Sequence, residues 1–200
     1  MAEVKMRLVG DFYDSNVFVE NDFIVDAGVA PSEVELKGAL FLTHGHFDHA
    51  YFAVDYAKKF NLKIYASEKI KEYLSNPKKN YSTDFNCPPL KIDDFSAFIF
   101  LNGDGEVKIG DLSVKYFSLG GHSKSDMCFL VKDDLYVGDL VIGRGIGRMD
   151  LYGGDKAEMI KSLKKLSTLP YKTLHSGHGE DLDKAVADKV IKTYLRFLER

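Results

Sequence analysis

The chain has 200 residues, of which 45% are hydrophobic and 28% charged, with a formal net charge of −3. That size and balance suit a globular domain with a substantial core, and a sequence pI of about 6.1 offers no field of one sign to attract nucleic acid or an anionic membrane. No apolar stretch approaches the ~18 residues of a membrane span, residues 1–5 lack the basic-then-apolar run of a signal peptide, and two cysteines in dissimilar contexts predict free thiols in a reducing cytoplasm.

Strand-like runs open the chain at residues 5–9, 16–20 and 22–26, the last two joined by a hairpin turn at Glu20-Asn21-Asp22. Asp26-Ala27-Gly28 ends a strand, and Asp26 reads as a turn residue or as support for a nearby ligand. The apolar run Ala39-Leu40-Phe41-Leu42 reads as a buried strand, followed by a loop, a helix over 50–60, a strand over 63–66 and a helix over 67–74.

Residues 75–98 differ in texture, with Pro77, Pro88, Pro89 and scattered aromatics, and read as a loop insertion covering a pocket. Its Tyr81 and Phe85 either line a substrate groove or pin the loop to the core.

From residue 106 the pattern turns to short strands at 107–109, 112–117, 127–132 and 135–137, separated by turn residues. Cys128 falls inside one of these apolar runs. A helix over 155–166 follows, with Asp155 as its N-cap and Met159, Ile160, Leu163 and Leu166 on one face. A strand over 171–174 and a closing helix over 181–198 complete the chain. No internal repeat, low-complexity tract or linker interrupts it. The expected fold is α+β, two sheets packed face to face with helices outside, in one domain spanning 1–200.

The chemistry concentrates in Thr43-His44-Gly45-His46-Phe47-Asp48-His49, which holds three of the six histidines. Composition alone would yield His-x-His-x-Asp-His on the order of once in two thousand such chains. Imidazole and carboxylate suit zinc, iron and manganese. The segment leaves the carboxyl end of a strand, where α/β sheets place their sites. His44 and His46 alternate and can aim at one ion; Asp48 and His49 sit where the chain turns into helix and can aim at a second. His122 in Gly120-Gly121-His122, Asp139 in Gly138-Asp139 and His178 in Gly177-His178-Gly179 repeat the pattern of strand end, glycine and ligand. His175 lies inside a strand without flanking glycines and reads as a packed residue.

In that order these motifs resemble the metallo-β-lactamase superfamily, beginning at Ile24-Val25-Asp26-Ala27-Gly28 and covering nearly the whole chain. The resemblance implies a four-layer αββα sandwich and two divalent metal ions, zinc first, with iron or manganese as alternatives. It implies that His44, His46 and His122 hold one ion, that Asp48, His49 and His178 hold the other, and that Asp139 bridges them. Residues 143–155, Gly-Arg-Gly-Ile-Gly-Arg-Met-Asp-Leu-Tyr-Gly-Gly-Asp, together with Asn80-Tyr81-Ser82, are similar to the branch of glyoxalase II-type hydrolases and persulfide dioxygenases.

The function this implies is thioester hydrolysis. A water shared by two divalent cations loses its proton near neutral pH and attacks a metal-polarised carbonyl, with Asp48 holding the nucleophile as the catalytic residue. The substrate is a small acyl thioester or ester. Arg144, Tyr81 and Lys124 are the candidate substrate contacts, and Arg148 with Asp150 reads as an internal ion pair shaping the glycine-rich loop.

The alternatives are an iron-dependent persulfide dioxygenase using His44, His122 and Asp139, a lactonase or phosphodiesterase of the same fold, and a metal-binding regulator without turnover. Two departures from the family pattern stand out. Lys124-Ser125 replaces the usual Pro-Gly two residues after His122, and no helical C-terminal glutathione-binding region is expected after His178.

Overall fold

A computed structural model describes residues 6–9, 15–31, 36–85 and 87–200. Residue 5 of the expected first strand, and the N-terminal residues read for a signal peptide, lie outside the described residues.

The first sheet runs β1 (Met6–Val9), β2 (Asn16–Val19), β3 (Phe23–Val25), β4 (Ala39–Phe41), β5 (Lys63–Ser67) and β6 (Phe98–Leu101), adjacent in that order. β4 is buried on both faces and pairs in parallel with β3 and β5, which is why it reads as an unbroken apolar run rather than an alternating one. The short helices α1 (Phe47–Ala50), α2 (Ala53–Phe60) and α3 (Ile70–Leu74) follow β4 and β5.

The second sheet has the order β14-β13-β10-β9-β8-β7. Its members are β7 (Gly105–Ile109), β8 (Leu112–Ser118), β9 (Met127–Val131), β10 (Asp134–Gly138), β13 (Thr173–Ser176) and β14 (Leu182–Asp183). A single 3-10 turn (Ser82–Asp84), a two-stranded ribbon, β11 (Val141–Ile142) and β12 (Gly145–Ile146), and the helices α4 (Lys156–Thr168) and α5 (Lys184–Leu198) complete the described elements. None of the described helices is long and apolar enough to cross a membrane.

Three apolar clusters define the four layers. Val17, Ile24, Leu40 and Ile64 of the first sheet pack on Phe47, Ala53, Tyr56 and Ile70 of the helices outside it. Phe18, Phe23, Val25 and Phe41, the alternate residues of the same strands, meet Val114, Phe129 and Tyr136 of the second sheet. Leu130, Leu135, Val137 and Leu174 face outward again onto Leu163 of α4 and Ile191 of α5. The period of two along each strand thus supplies both interfaces of each sheet. The result is the expected αββα sandwich.

Several boundaries differ from the sequence expectation. The helix expected over 50–60 breaks at residues 51–52, where the Ala27 N–H donates to the His49 carbonyl at 2.7 Å and the Phe52 N–H donates to the Ala27 carbonyl at 2.9 Å. These two bonds to Ala27 draw both groups away from the helix. The loop expected to reach residue 98 ends one residue early, where Phe98 opens β6 against Ile64 of β5. The late strand begins at Thr173 rather than 171 and carries His175 inside it, since Lys172 and Thr173 both donate to the Asp133 carbonyl before pairing with β10 starts. Residues 182–183 pair as a strand with β13, so the closing helix starts at Lys184. Cys87 and Cys128 are free thiols.

Candidate metal centre

All seven ligand-type residues converge at the strand ends of the two sheets. His44, His46, Asp48 and His49 follow β4, His122 and Asp139 follow β8 and β10, and His178 follows β13. Their donor atoms form three overlapping groups: His44, His46 and His122; His44, His49 and Asp139; and Asp48, His49 and His178. Asp139 spans the groups, with Oδ1 at 3.4 Å from His49 Nε2 and Oδ2 at 3.6 Å from both His122 Nε2 and His178 Nε2.

The outer nitrogens are held by protein acceptors, which fixes the rings. His49 Nδ1 lies 2.9 Å from Asp26 Oδ2, and His122 Nδ1 lies 2.9 Å from the Arg148 carbonyl. Thr43 Oγ1 donates to Asp26 Oδ2 at 2.8 Å and sits 3.1 Å from His44 Nδ1. A proton on each of these Nδ1 atoms leaves Nε2 with its lone pair toward the centre. His46 turns the other way, with Nδ1 at 2.9 Å from His122 Nε2.

The fit to a cation rests on what the cluster leaves unsatisfied. His44 Nε2, His46 Nε2 and Asp139 Oδ1 are buried without a hydrogen-bond partner. Unpartnered buried polar atoms each cost on the order of 1–3 kcal/mol, and the two acceptors among them, His44 Nε2 and Asp139 Oδ1, mark a place for a positive ion. Burial, reinforced by neighbouring histidines, holds His44 well below the ordinary histidine range and His46 down at about 3, so both are neutral ligands. Burial also works against a charged His49, but Asp48, Asp139 and Asp26 outweigh it and hold that imidazole well above its usual value. Burial opposes ionisation of Asp139, yet His49 and then His122 keep its carboxyl well below the usual range.

Close approach is built into the backbone. A Cβ on Gly177 would lie 2.2 Å from Asp139 Oδ1 and 2.7 Å from His49 Cε1. Gly138 has φ +54° and packs its α-carbon against Thr43; a side chain there would be strained by its backbone as well as blocked.

Two supports had no counterpart in the sequence reading. Asp126 is buried beneath the His122 loop and accepts from the His122 and Ser123 N–H groups at 2.9 and 2.8 Å, while burial pushes its carboxyl up to about 6. Tyr73 Oη accepts from the Lys124 N–H at 2.9 Å and donates to the Tyr152 carbonyl at 3.1 Å, and its ring packs under Gly45. Tyr73 therefore ties three loops of the centre together. The signal for Asp126 is a single acid at the mouth of the apolar run 127–131; Tyr73 carries none.

The candidate substrate contacts divide. Tyr81 lines the cleft over the centre, its ring 5.3 Å from that of His46, and its oxygen accepts the Tyr152 N–H, so it both faces the cleft and pins the loop. Arg144 points away, its side chain 76% exposed and paired with Glu180 at 3.1 Å. Lys124 lines a separate cleft with Lys69 and Gly153, with its ammonium 5.6 Å from the Tyr152 ring centre. Arg148 borders the centre instead, and its pair with Asp150 is a solvent-exposed one rather than an internal one. His175 lies away from the centre, stacked on Tyr136 and between Asp134 and Asp181.

The sequence profile described as the Metallo-beta-lactamase superfamily matches residues 21–178, a span that contains all seven ligand-type residues. The chain is 34% identical to the probable metallo-hydrolase YqgX of Bacillus subtilis (strain 168), over 82% of this chain and 75% of that protein. It is 30% identical to the hydroxyacylglutathione hydrolase GloC of Haemophilus influenzae, over 74% of this chain and 70% of that one. Among solved structures it resembles the BLEG-1 B3 metallo-beta-lactamase, with a TM-score of 0.80 and 25% identity over 90% of this chain and 94% of that chain.

Proposed function

We propose that this chain, which belongs to the Metallo-beta-lactamase superfamily, is a metal-dependent hydrolase of the glyoxalase II type, cleaving an acyl thioester. The observation that carries this reading is the convergence of seven ligand-type side chains on one cleft, with Asp139 between the two groups. Similarity to a hydroxyacylglutathione hydrolase over most of the chain supports the choice of bond. Two divalent ions bound there supply an activated water and Lewis-acid polarisation of a carbonyl, zinc being the first choice and iron or manganese acceptable to the same donors.

The protein's own groups do the rest. Asp26, Thr43 and the Arg148 carbonyl hold three imidazoles in the tautomer that presents Nε2. Asp48 engages His178 and His49 through Oδ2; its Oδ1 orients the attacking water and takes up its proton. Phe47, Phe85 and Leu151 wall the cleft and thin the solvent around the reacting carbonyl.

The test is loss of thioester absorbance with S-lactoylglutathione and simple S-acyl thioesters, on protein loaded separately with zinc, iron and manganese. Turnover that chelation abolishes and metal restores is the expected result. Bound metal with no turnover of any thioester would overturn the reading; oxygen consumption with a persulfide on the iron-loaded protein would replace it with the dioxygenase alternative.

A further inference from the structure

The cleft over the centre has a volume of ≈ 540 Å³. Its floor is His46, Asp48, His122, Asp139 and His178, and its walls are mostly carbon. Phe47 and Phe85 stack at 4.9 Å with an interplanar angle of 24°, giving one flat apolar side. Tyr81 extends that side, its hydroxyl oxygen occupied by the Tyr152 N–H. Ile142 of the β11–β12 ribbon and Leu151 of the glycine-rich loop add aliphatic carbon to the same lining.

Charge is sparse beyond the floor. Among the described residues lining the cleft, the other charged groups are Asp84 and Arg148. Arg148 is committed through two nitrogens to Asp150, at 2.8 and 2.6 Å. Asp84 repels an anion. The cations that might have met one elsewhere, Arg144 and Lys124, lie outside this cleft. A carrier bearing carboxylates or phosphates finds no uncommitted cationic side chain among the described lining residues, whereas an apolar chain finds three aromatic rings and two aliphatic side chains.

We infer that the substrate of this centre is a thioester with an apolar acyl chain, lodged against the Phe47–Phe85 wall and Leu151, on a thiol whose recognition requires no negative charge. This rests on the thioesterase reading above. Selection arises because each methylene moved from water into such a wall favours binding, while a desolvated carboxylate with no partner is penalised.

The experiment compares acyl series from acetyl to octanoyl on two thiols, the neutral N-acetylcysteamine and the anionic glutathione, using metal-reconstituted protein. The expected kcat/KM rises about threefold to fourfold per methylene until the cleft is filled, and the neutral carrier serves at least as well as glutathione. Leu151→Ala and Phe85→Ala each lower the octanoyl value on the order of tenfold more than the acetyl value. In parallel, calorimetric binding of the uncleavable S-octyl and S-methyl thioethers of N-acetylcysteamine reads the same preference without turnover, with the octyl ligand expected to bind at least about tenfold tighter.

A rate flat across acyl length, a marked preference for the glutathione series, or equal binding of the two thioethers would overturn the inference. If no thioester is cleaved, the thioesterase reading fails by itself, and the thioether binding still decides whether the cleft selects apolar chains.

Discussion

His49 Nδ1 and Asp26 Oδ2 meet at 2.9 Å, with neither side chain more than 2% exposed. The same carboxylate takes the Thr43 N–H at 2.8 Å and the Thr43 hydroxyl, so one buried group orients two segments of the ligand loop. Asp26→Asn keeps the shape, and φ +63° at this position is tolerable to either residue. The amide, however, can offer an N–H where His49 needs an acceptor. Metal affinity should fall about 10–100-fold, read by competition with a chelating dye, while the unfolding midpoint of the metal-free protein moves far less.

Removing the metal should destabilise the fold as well as the activity. A ligand that binds only the folded state at about a thousand times its Kd adds roughly 4 kcal/mol. Chelation should therefore lower Tm by several degrees, and His46→Ala should show low metal content and little further loss on chelation. An unchanged Tm with full loss of metal would show that the ligand loops are held by the protein alone.

Gly177→Ala isolates crowding from backbone strain, because a Cβ there strikes Asp139 Oδ1 and His49 Cε1 and no left-handed φ is involved. Metal stoichiometry should drop and kcat fall by more than about tenfold, with secondary structure retained by circular dichroism. Full metal content at the wild-type rate would mean that Asp139 can shift without cost.

His175 gives the fold a pH dependence separate from catalysis. Burial alone would lower its affinity for protons, but Asp134 and Asp181, each 3.2 Å from one ring nitrogen, raise its pKa to about 9. Glu20 also faces this cluster through its bond to Tyr136. The folded value lies above the unfolded one near 6.5, so the stabilisation is complete below pH ~6.5 and is lost as the pH rises through about 9. The contribution is on the order of 3 kcal/mol. Denaturation midpoints followed from about pH 6 to pH 10 should fall in that window for the wild type and stay flatter for His175→Gln.

What was legible in the sequence is what is local. His44 to His49 point to a candidate metal site because four ligand-type residues, three His and one Asp, fall within six positions, and Gly121-His122 and Gly177-His178 carry the same mark of a strand end with room for close approach. The apolar runs at 16–20, 22–26 and 39–42 marked strands of the first sheet, but with every residue of β2, β3 and β4 buried they did not say which face each side chain takes. What escaped depends on partners distant in the chain. The break before α2 exists because Ala27 claims two helix groups; Tyr73 and Asp126 matter only through loops that the fold brings to them. Arg144 and Lys124 show the converse: a charge in a glycine-rich loop says nothing about which way it points, and Glu180 and Tyr152 decide it.

Residues 15 and 16 clamp the two halves of the centre. Ser15 donates to the Asp48 carbonyl at 2.6 Å and pairs with His178 as an isolated bridge, and the Asn16 N–H donates to the Gly177 carbonyl at 2.7 Å. The second ligand group is therefore closed by segments from opposite ends of the described chain. Loop closure over such a separation is entropically unfavourable and slow, and an emerging nascent chain presents His44, His46 and His49 long before His178. The geometry of the Asp48, His49 and His178 group therefore depends on a contact completed only when the strand before His178 docks against residues 15 and 16.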